Sequence, residues 1–404
     1  MPLPRLRYLD AFEVESGRGE FISVRDPENI QEEVFLVPKF IYFVAQFFDG
    51  RREMSEVQEI LARALDGEIV PSEVIDKIIE ELDQRYLLQT PRFEKKCEEI
   101  EKTFASDPVR PAYLAKRSYP GTARELRKLL DGFFDKGPGA RPAAAGQSPL
   151  KGFIAPHIDY HRGGLSYAHV YKAVGESKPA DTYVILGVAH ASPPAPFVLT
   201  EKDFKTPLGT AECDRDFTSR LRARLKSDPT RFQLVHRTEH SAEFQAVYLK
   251  HVVSSPFKIV PILCSSFEPI CGDASPAKYS AIEGFIDALA QTIAESKGTV
   301  CVMSGADLAH VGRRFGDDFD ITDEVVARVK QQDDEGLKKA LEGDAEGFYA
   351  SVMDDENARK VCGLSSIYTA LRLIGSPGKL LDYNYAPDPA GGIVSFASVV
   401  YGGS

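Results

Sequence analysis

The sequence predicts an α/β domain with a largely parallel or mixed sheet, preceded by a small, mainly helical domain. From residue 152 onward, apolar segments of strand length alternate with helical patterns. In the first hundred residues, three helical patterns follow one another before a short strand candidate. The length of 404 residues and the hydrophobic content of 43% fit two or three globular domains.

The first domain is predicted to contain three helices and a terminal strand or hairpin. Residues 38–48 are apolar on nearly every side and end at the turn signal Asp49-Gly50, which is typical of a buried helix. A second helix is predicted to begin at Ser55 and a third to follow Ser72, each with an apolar stripe. Residues 86–91 form the strand candidate. This order is similar to that of a winged helix.

Residues 43–57, with the sequence FVAQFFDGRREMSEV, resemble the PqqD-like winged-helix modules. The resemblance implies a module that binds a peptide or a partner protein, and a docking or dimerisation domain is the alternative. The third helix carries five acidic residues between Glu73 and Asp83, which disfavours DNA binding.

The boundary between the domains is predicted near residue 105. Residues 94–103 form a charged helical pattern, and Ser106-Asp107-Pro108 interrupts it. The predicted domains are therefore 1–105 and 106–404. Composition alone would place the boundary later, in the Gly/Pro/Ala-rich run 137–149. An amphipathic helix over 123–134 could belong to either side.

The second domain is predicted as an alternation of strands and helices. The strand candidates are 152–155, 182–188, 197–200, 258–263, 300–304 and 393–401. The helix candidates are 164–174, 214–225, 241–252, 276–296, 321–341, 345–354 and 365–373.

The eight histidines all lie between His157 and His310, so any chemistry is expected in the second domain. His157, His190 and His310 each stand just past the end of a predicted strand, the edge where α/β sheets bind ligands. Imidazole is a common metal ligand and acid/base group, so such a cluster predicts one or both roles. A further segment, 239–243, begins a predicted helix, and a site role and a capping role with a surface charge are equally open for it.

Several function classes are excluded or disfavoured. The net charge of −11 argues against a general nucleic-acid binder. No apolar run reaches membrane-spanning length and the start lacks an apolar signal core, so a cytoplasmic location without membrane contact is expected. The six cysteines form no C-x-x-C pair, so disulfides are not expected. Motifs of serine hydrolases, H-E-x-x-H zincins, P-loop proteins and Rossmann dehydrogenases are missing.

A series of motifs from Arg110 to the C-terminus resembles the Memo family, called AmmeMemoRadiSam system protein B in bacteria. In chain order the motifs are IAPH ending at His157, DYxRGG from Asp159, VILGxxH ending at His190, KTPLG ending at Gly209, EHSxE from Glu239, KIVPIL ending at Leu263, SGADLAH ending at His310 and VCG ending at Gly363. The resemblance implies an α/β/α sandwich related to the LigB-type class III extradiol dioxygenases.

The resemblance also implies a set of site residues. His157, His190 and Cys362 match the metal ligands of Memo-like proteins, and His310 matches a further site histidine that we assign to proton transfer. Asp307 and His240 match motif positions near the same cleft. A thiolate in place of the carboxylate of extradiol enzymes softens the site, so Fe(II) or copper is expected, with zinc as a further candidate.

Three functions remain open from the sequence. The first is an Fe- or Cu-dependent oxidoreductase that uses oxygen on an unknown small molecule. The second is a non-catalytic module that binds a peptide or protein in the same cleft, with the first domain as a second binding surface. The third is a metal-assisted hydrolase.

Overall fold

The computed structural model describes residues 2–16, 19–27, 29–142, 146 and 148–402. The chain divides into two compact units, residues 1–106 and 107–404. Part of the Gly/Pro/Ala-rich run 137–149, at 143–145 and 147, lies outside the described residues. None of the helices that the structure describes is long and apolar enough to cross a membrane.

In the residues that the structure describes, the first unit combines four helices with two small sheets. Its strands are β1 (Arg5–Leu6), β2 (Asp10–Ser16), β3 (Gly19–Arg25), β4 (Phe35–Pro38) and β5 (Leu88–Gln89). Its helices are α1 (Lys39–Ala45), α2 (Met54–Ala64), α3 (Ser72–Gln84) and α4 (Pro91–Ser106). The three predicted helices are confirmed, and the predicted last strand pairs with β1. The antiparallel sheet β2-β3-β4, which precedes α1, was not predicted.

The core of the first unit lies between the sheet β2-β3-β4 and the helices. Ile22 and Val24 of β3 and Val37 of β4 point into it, while the outward-facing Phe12 and Leu36 are about half exposed. The alternation along each strand follows from the two-residue side-chain period of β-structure.

The second unit is built on one large mixed sheet. Its strands are β6 (Val109–Arg110), β7 (Gly152–Ala155), β8 (Thr182–Val188), β9 (Phe197–Leu199), β10 (Asp203–Thr206), β11 (Gly209–Cys213), β12 (Lys258–Cys264), β13 (Val300–Gly305), β14 (His310–Gly312), β15 (Gly378–Asp388) and β16 (Gly392–Tyr401). Their order is β14-β16-β7-β13-β8-β12-β11-β10-β6, with β15 added to β16 and β9 to β12. The neighbours β7, β13, β8 and β12 are parallel.

Helices lie on both faces of this sheet. They are α5 (Ala123–Lys136), α6 (Tyr160–Glu176), α7 (Arg215–Arg224), α8 (His240–Val252), α9 (Glu268–Cys271), α10 (Ser280–Ala294), α11 (Asp323–Glu342), α12 (Ala345–Met353) and α13 (Leu364–Ile374). Alternate residues of β8 show the two faces. Ile185 belongs to a buried cluster with residues of α5, α6 and α8, whereas Val184 and Leu186 belong to another with residues of α7, α10 and α13. The predicted α/β class is therefore confirmed.

The six strands predicted in this unit are all observed, and strands 152–155 and 182–188 have the predicted bounds. The predicted helix 276–296 is shorter and starts after a 3₁₀ turn, as Ser280–Ala294. The strands β6, β10, β11, β14 and β15 and the short helix α9 were not predicted. The structure describes all six cysteines and places none of them in a disulfide bond.

Candidate metal centre

Three neighbouring parallel strands end together at the candidate site. β7 ends at Ala155 and β13 at Gly305, and these two residues are partners in the sheet. His157 follows β7 by two residues, and Asp307 follows β13 by two. His190 follows β8, the strand on the other side of β13, also by two residues. The sheet therefore places all three side chains at one edge, where α/β folds bind ligands.

Helix α8 brings a third histidine to this edge, because it starts at His240 beside the ends of β8 and β13. A Cβ atom on Gly187 would lie 2.5 Å from Ser241 Oγ, and one on Gly305 would lie 2.7 Å from Ser241 O. These glycines therefore permit the close approach of the helix. Ser241 Oγ fixes the contact, since it accepts a hydrogen bond from Val188 N and donates one to Val188 O, both at 3.0 Å.

The three imidazole rings of His157, His190 and His240 lie close together. Ring centroids are 5.0 Å apart for His157 and His190, 5.1 Å for His157 and His240, and 4.6 Å for His190 and His240. One nitrogen from each ring lies within 4.8 Å of the other two. His157 is buried, whereas the side chains of His190 and His240 are 40% and 33% exposed. The three-histidine group is therefore buried on the side of His157 and open to solvent on the side of His190 and His240.

The Nδ1 atom of each ring is held by an oxygen acceptor. His157 Nδ1 donates to Gly305 O at 2.9 Å. His190 Nδ1 donates to the Glu239 carboxylate at 3.0 Å, and His240 Nδ1 lies 3.1 Å from the same carboxylate. With Nδ1 protonated, Nε2 of each ring keeps a free lone pair, which is the arrangement in which histidine binds metals.

Cys362 lies next to the buried histidine. Its Sγ atom is 3.4 Å from His157 Nε2 and 3.8 Å from Asp307 O. Burial, together with the Asp307 carboxylate, raises the pKa of the Cys362 thiol well above its ordinary value. A cation at the histidine group would offset both effects and favour the thiolate, which is the metal-binding form.

Asp307 connects the strand end to His157. Its carboxylate accepts a hydrogen bond from His157 N at 2.9 Å and lies 3.6 Å from His157 Nε2. Burial raises the pKa of Asp307 to about 6, although hydrogen bonds from the backbone of His157 and Ile158 oppose the rise. A carboxyl group with such a pKa can hold or release a proton near neutral pH.

His310 lies on β14 and outside the three-histidine group. Its Nδ1 donates to Leu308 O at 3.0 Å, and its ring packs edge-on against Phe315 at 5.2 Å. Burial lowers the pKa of His310 to about 4, and the charge of His190 adds to this effect. His310 is therefore neutral at physiological pH.

Two glutamates of the EHSxE motif have roles that the sequence left open. Burial raises the pKa of Glu239, but the charges of His190 and His240 outweigh it and leave the pKa well below its ordinary value. Glu243 is fully buried, pairs with Arg110 and accepts hydrogen bonds from Tyr113 N, Leu114 N and Tyr119 OH. Glu243 therefore joins α8 to the segment 110–119 inside the protein. The alternative of a surface charge at this position is wrong.

Known proteins resemble this chain over most of its length. Residues 110–402 match the family described as Memo-like protein. A MEMO1 family protein of Aquifex aeolicus is 27% identical over 403 residues, which cover 98% of this chain and 99% of the relative. A MEMO1 family protein of Methanopyrus kandleri is 28% identical over 303 residues, covering 71% of this chain and 97% of the relative. One of Methanosarcina mazei is 30% identical over 261 residues, covering 63% and 86%.

Proposed function

The chain belongs to the Memo-like family, and on that premise we propose that its second unit binds one transition-metal ion and acts as an oxygen-dependent oxidoreductase. The observation that carries the proposal is the convergence of His157, His190 and His240, with Cys362 3.4 Å from His157. This donor set of imidazoles and a thiolate suits copper and a thiolate-tolerant iron centre, and zinc is the redox-inactive alternative.

The spacing of the donor atoms fits one ion. Nitrogen ligands about 2.1 Å from a tetrahedral metal lie about 3.4 Å apart, and the three nitrogens here lie within 4.8 Å of one another. Side-chain adjustments of about 1 Å would complete the sphere. The Nδ1 contacts support this, because an oxygen acceptor at Nδ1 of each ring leaves Nε2 available to bind a metal.

A bound iron or copper ion would supply electron exchange and would polarise an oxygen atom of its ligand. The residues of the chain would orient the metal-binding imidazoles and hold or transfer protons. Glu239 orients two of the imidazoles, and Asp307 is poised to hold a proton beside His157. We assign His310 to proton transfer as a neutral imidazole that can accept a proton. The open side of His190 and His240 is the route by which a substrate would enter.

The experiment is elemental analysis of protein purified without chelator, followed by anaerobic titration with Fe(II) and Cu(I). We expect about one metal ion per chain, and loss of binding in His157→Ala. The variants His240→Ala and Cys362→Ala test whether His240 or Cys362 completes the ligand set. Substitution of a true ligand is expected to weaken the metal affinity, whereas substitution of the other residue is not. His169→Ala, a histidine of α6, is the matched control. Metal-dependent oxygen consumption would support the oxidoreductase.

Two outcomes would redirect the assignment. Absence of Fe(II) and Cu(I) binding in the wild type would contradict the metal centre and favour recognition of a peptide or protein in the cleft. Metal binding with ester or amide turnover and no oxygen consumption would favour the hydrolase.

We further propose the finer relationships that the motifs imply. The second unit is an AmmeMemoRadiSam system protein B with a sandwich related to LigB-type dioxygenases, and helices on both faces of its sheet support this. The first unit is a PqqD-like module that captures a peptide or protein partner. Its order of three helices and a closing strand supports this. Retention of a partner by the full chain and not by a chain lacking residues 1–106 would test the module.

A further inference from the structure

Cys362 is carried by a segment with an unusual backbone. The segment joins α12 to α13, and three of its residues other than glycine have left-handed φ angles: 55° at Glu356, 53° at Asn357 and 54° at Lys360. Side chains with a Cβ atom adopt this conformation at an energetic cost, so the surrounding structure has to hold it in place. One contact inside the segment does so, because Asn357 Oδ1 accepts a hydrogen bond from Val361 N at 2.7 Å.

A buried carboxylate on α11 ties this segment to the sheet. Asp333 Oδ1 accepts a hydrogen bond from Arg359 Nη1 at 2.9 Å, and the two side chains are 1% and 5% exposed. Asp333 Oδ2 accepts hydrogen bonds from Ser395 Oγ at 2.5 Å and Tyr383 OH at 3.0 Å. Asp333 therefore joins α11, the Cys362 segment, β15 and β16 at one point.

The partners of Asp333 also hold the backbone that leads to His310. Arg359 O accepts a hydrogen bond from His310 N at 2.7 Å. Ser395 Oγ accepts one from Ala309 N at 2.9 Å, and Ser395 O accepts one from Leu308 N at 2.8 Å. Both chain segments that flank the candidate centre are thus fixed through the same buried carboxylate.

We propose that Asp333 and Arg359 are positioning residues that hold Cys362 beside His157 and fix the backbone at His310. Neither residue belongs to the group of candidate ligands, and both act through the backbone. A buried ion pair contributes little net stability compared with apolar residues of the same volume. We therefore assign this pair to positioning: it fixes the segments that carry Cys362 and His310. The effect on a bound metal rests on the proposed function, whereas the placement of Cys362 does not.

The test measures the placement of Cys362 without metal. Metal-free Asp333→Asn is treated with iodoacetamide at neutral pH, and the alkylation of each cysteine is followed by peptide mass spectrometry. If the substitution releases the segment, Cys362 is expected to be alkylated about tenfold faster than in the wild type. This factor corresponds to the loss of one buried hydrogen bond. Cys97 is the partly exposed internal reference, and the buried Cys264 and Cys301 should stay unmodified while the fold is intact.

Two further variants keep the test decisive. Ser395→Ala removes one hydrogen bond to Asp333 without leaving Arg359 unpaired, and it is expected to raise the rate about two- to threefold even if Asp333→Asn does not fold. Glu283→Gln is the matched control, because it weakens the Arg372–Glu283 pair elsewhere in the unit and should leave Cys362 unchanged. Wild-type rates at Cys362 in Ser395→Ala and in a folded Asp333→Asn would overturn the proposal.

A second readout uses Co(II) as the probe. In the wild type we expect a thiolate-to-Co(II) absorption band, which weakens in Asp333→Asn and not in Glu283→Gln. If the wild type binds no Co(II), the proposed metal centre fails while the alkylation result still decides the positioning role. If the wild type binds Co(II) with an identical band in Asp333→Asn, the positioning role fails.

Discussion

Glu239 shows how one side chain organises the candidate centre at the scale of a residue. Its two carboxylate oxygens face the Nδ1 atoms of His190 and His240, and its side chain is 5% exposed. It also accepts a hydrogen bond from Ser241 N at 2.9 Å, at the start of α8. One carboxylate thus fixes two rings and the helix that carries one of them.

Glu239→Gln is predicted to weaken metal binding about 10- to 100-fold, the range observed when a group behind a metal-binding histidine is replaced. The amide is neutral and has one acceptor oxygen instead of two, so it accepts fewer and weaker hydrogen bonds from the two rings and from Ser241 N. Competition titration with a chelator would measure the dissociation constant. Glu201→Gln, which alters a half-buried glutamate paired with Arg222, is the control. Equal affinity in both variants would show that Glu239 does not orient the rings.

His236 is predicted to make folding sensitive to acid. Burial lowers its pKa to about 3, and the Arg110 guanidinium contributes to this. The ordinary pKa of histidine is about 6.5, so between these values the unfolded chain binds the proton and the folded chain does not. Stability is therefore full above pH 6.5 and falls as the pH decreases, by about 2 kcal/mol between pH 7 and pH 5.

His236→Gln removes this titration and keeps a donor for Val198 O, which His236 Nε2 contacts at 3.0 Å. The free energy of unfolding, measured by denaturant titration at pH 7 and pH 5, should then fall by about 2 kcal/mol less than in the wild type. Other acid-sensitive groups, such as His251, titrate in both proteins and cancel. The same decrease in both proteins would contradict the prediction.

At the scale of elements, the close contact of α13 with the end of β13 sets the position of Cys362. Gly363 N donates to Asp307 O at 3.1 Å, and a Cβ atom on Gly363 would lie 2.5 Å from that oxygen and 2.7 Å from Ala306 Cβ. Real Cβ atoms do not approach this closely, so the helix would have to move away from the strand.

Gly363→Ala is therefore predicted to destabilise the fold by about 1–3 kcal/mol, the usual cost of overpacking, and to weaken metal binding. Gly284→Ala is the matched control, since nothing lies within 4 Å of the added Cβ in α10. It should stabilise the chain by about 0.5–1 kcal/mol. Thermal unfolding and metal titration would measure both effects, and equal behaviour of the two variants would refute the argument.

Helix α8 is a second case of positioning at this scale. Glu243, one turn after His240, receives hydrogen bonds from residues of the segment 110–119, and Arg110 also donates to Glu239 O at 2.8 Å. The segment that opens the second unit therefore packs against the start of the helix that carries His240.

At the scale of the whole molecule, each unit has its own hydrophobic core. Val44, Val57 and Ile75 belong to a buried cluster made of first-unit residues, while separate clusters fill the two faces of the large sheet. The relative from Methanopyrus kandleri is covered over 97% of its length by 71% of this chain. Some homologues thus have no counterpart to the remaining part of this chain.

The fragment 107–404 is accordingly predicted to fold cooperatively and to bind metal with the affinity of the full chain, because every candidate ligand lies within it. Denaturant unfolding and chelator competition on the fragment and the full chain would measure this. A folded fragment with a markedly weaker affinity would show that the first unit contributes to the centre.

Much of the fold could be predicted because its signals are local. Strands 152–155 and 182–188 are short apolar runs that are buried on both faces, and their bounds match the prediction. β15 was missed because it pairs only with β16 among the described strands and has a single buried residue, with polar residues such as Asp382 and Asn384. β2 and β3 depend on pairing with each other and carry no long apolar run.

The sequence by itself determined that His157 and His190 would follow strand ends, since strand length and apolar pattern are local properties. His310 was expected at such a position too, but it begins β14, a strand that the sequence did not predict. Tertiary structure alone decided which groups meet: Cys362 contacts His157 across 205 residues, and the Glu239 carboxylate lies behind two imidazole rings at once. Such contacts depend on strand order and on the close approach of helices to the sheet, which are non-local features that no short segment encodes.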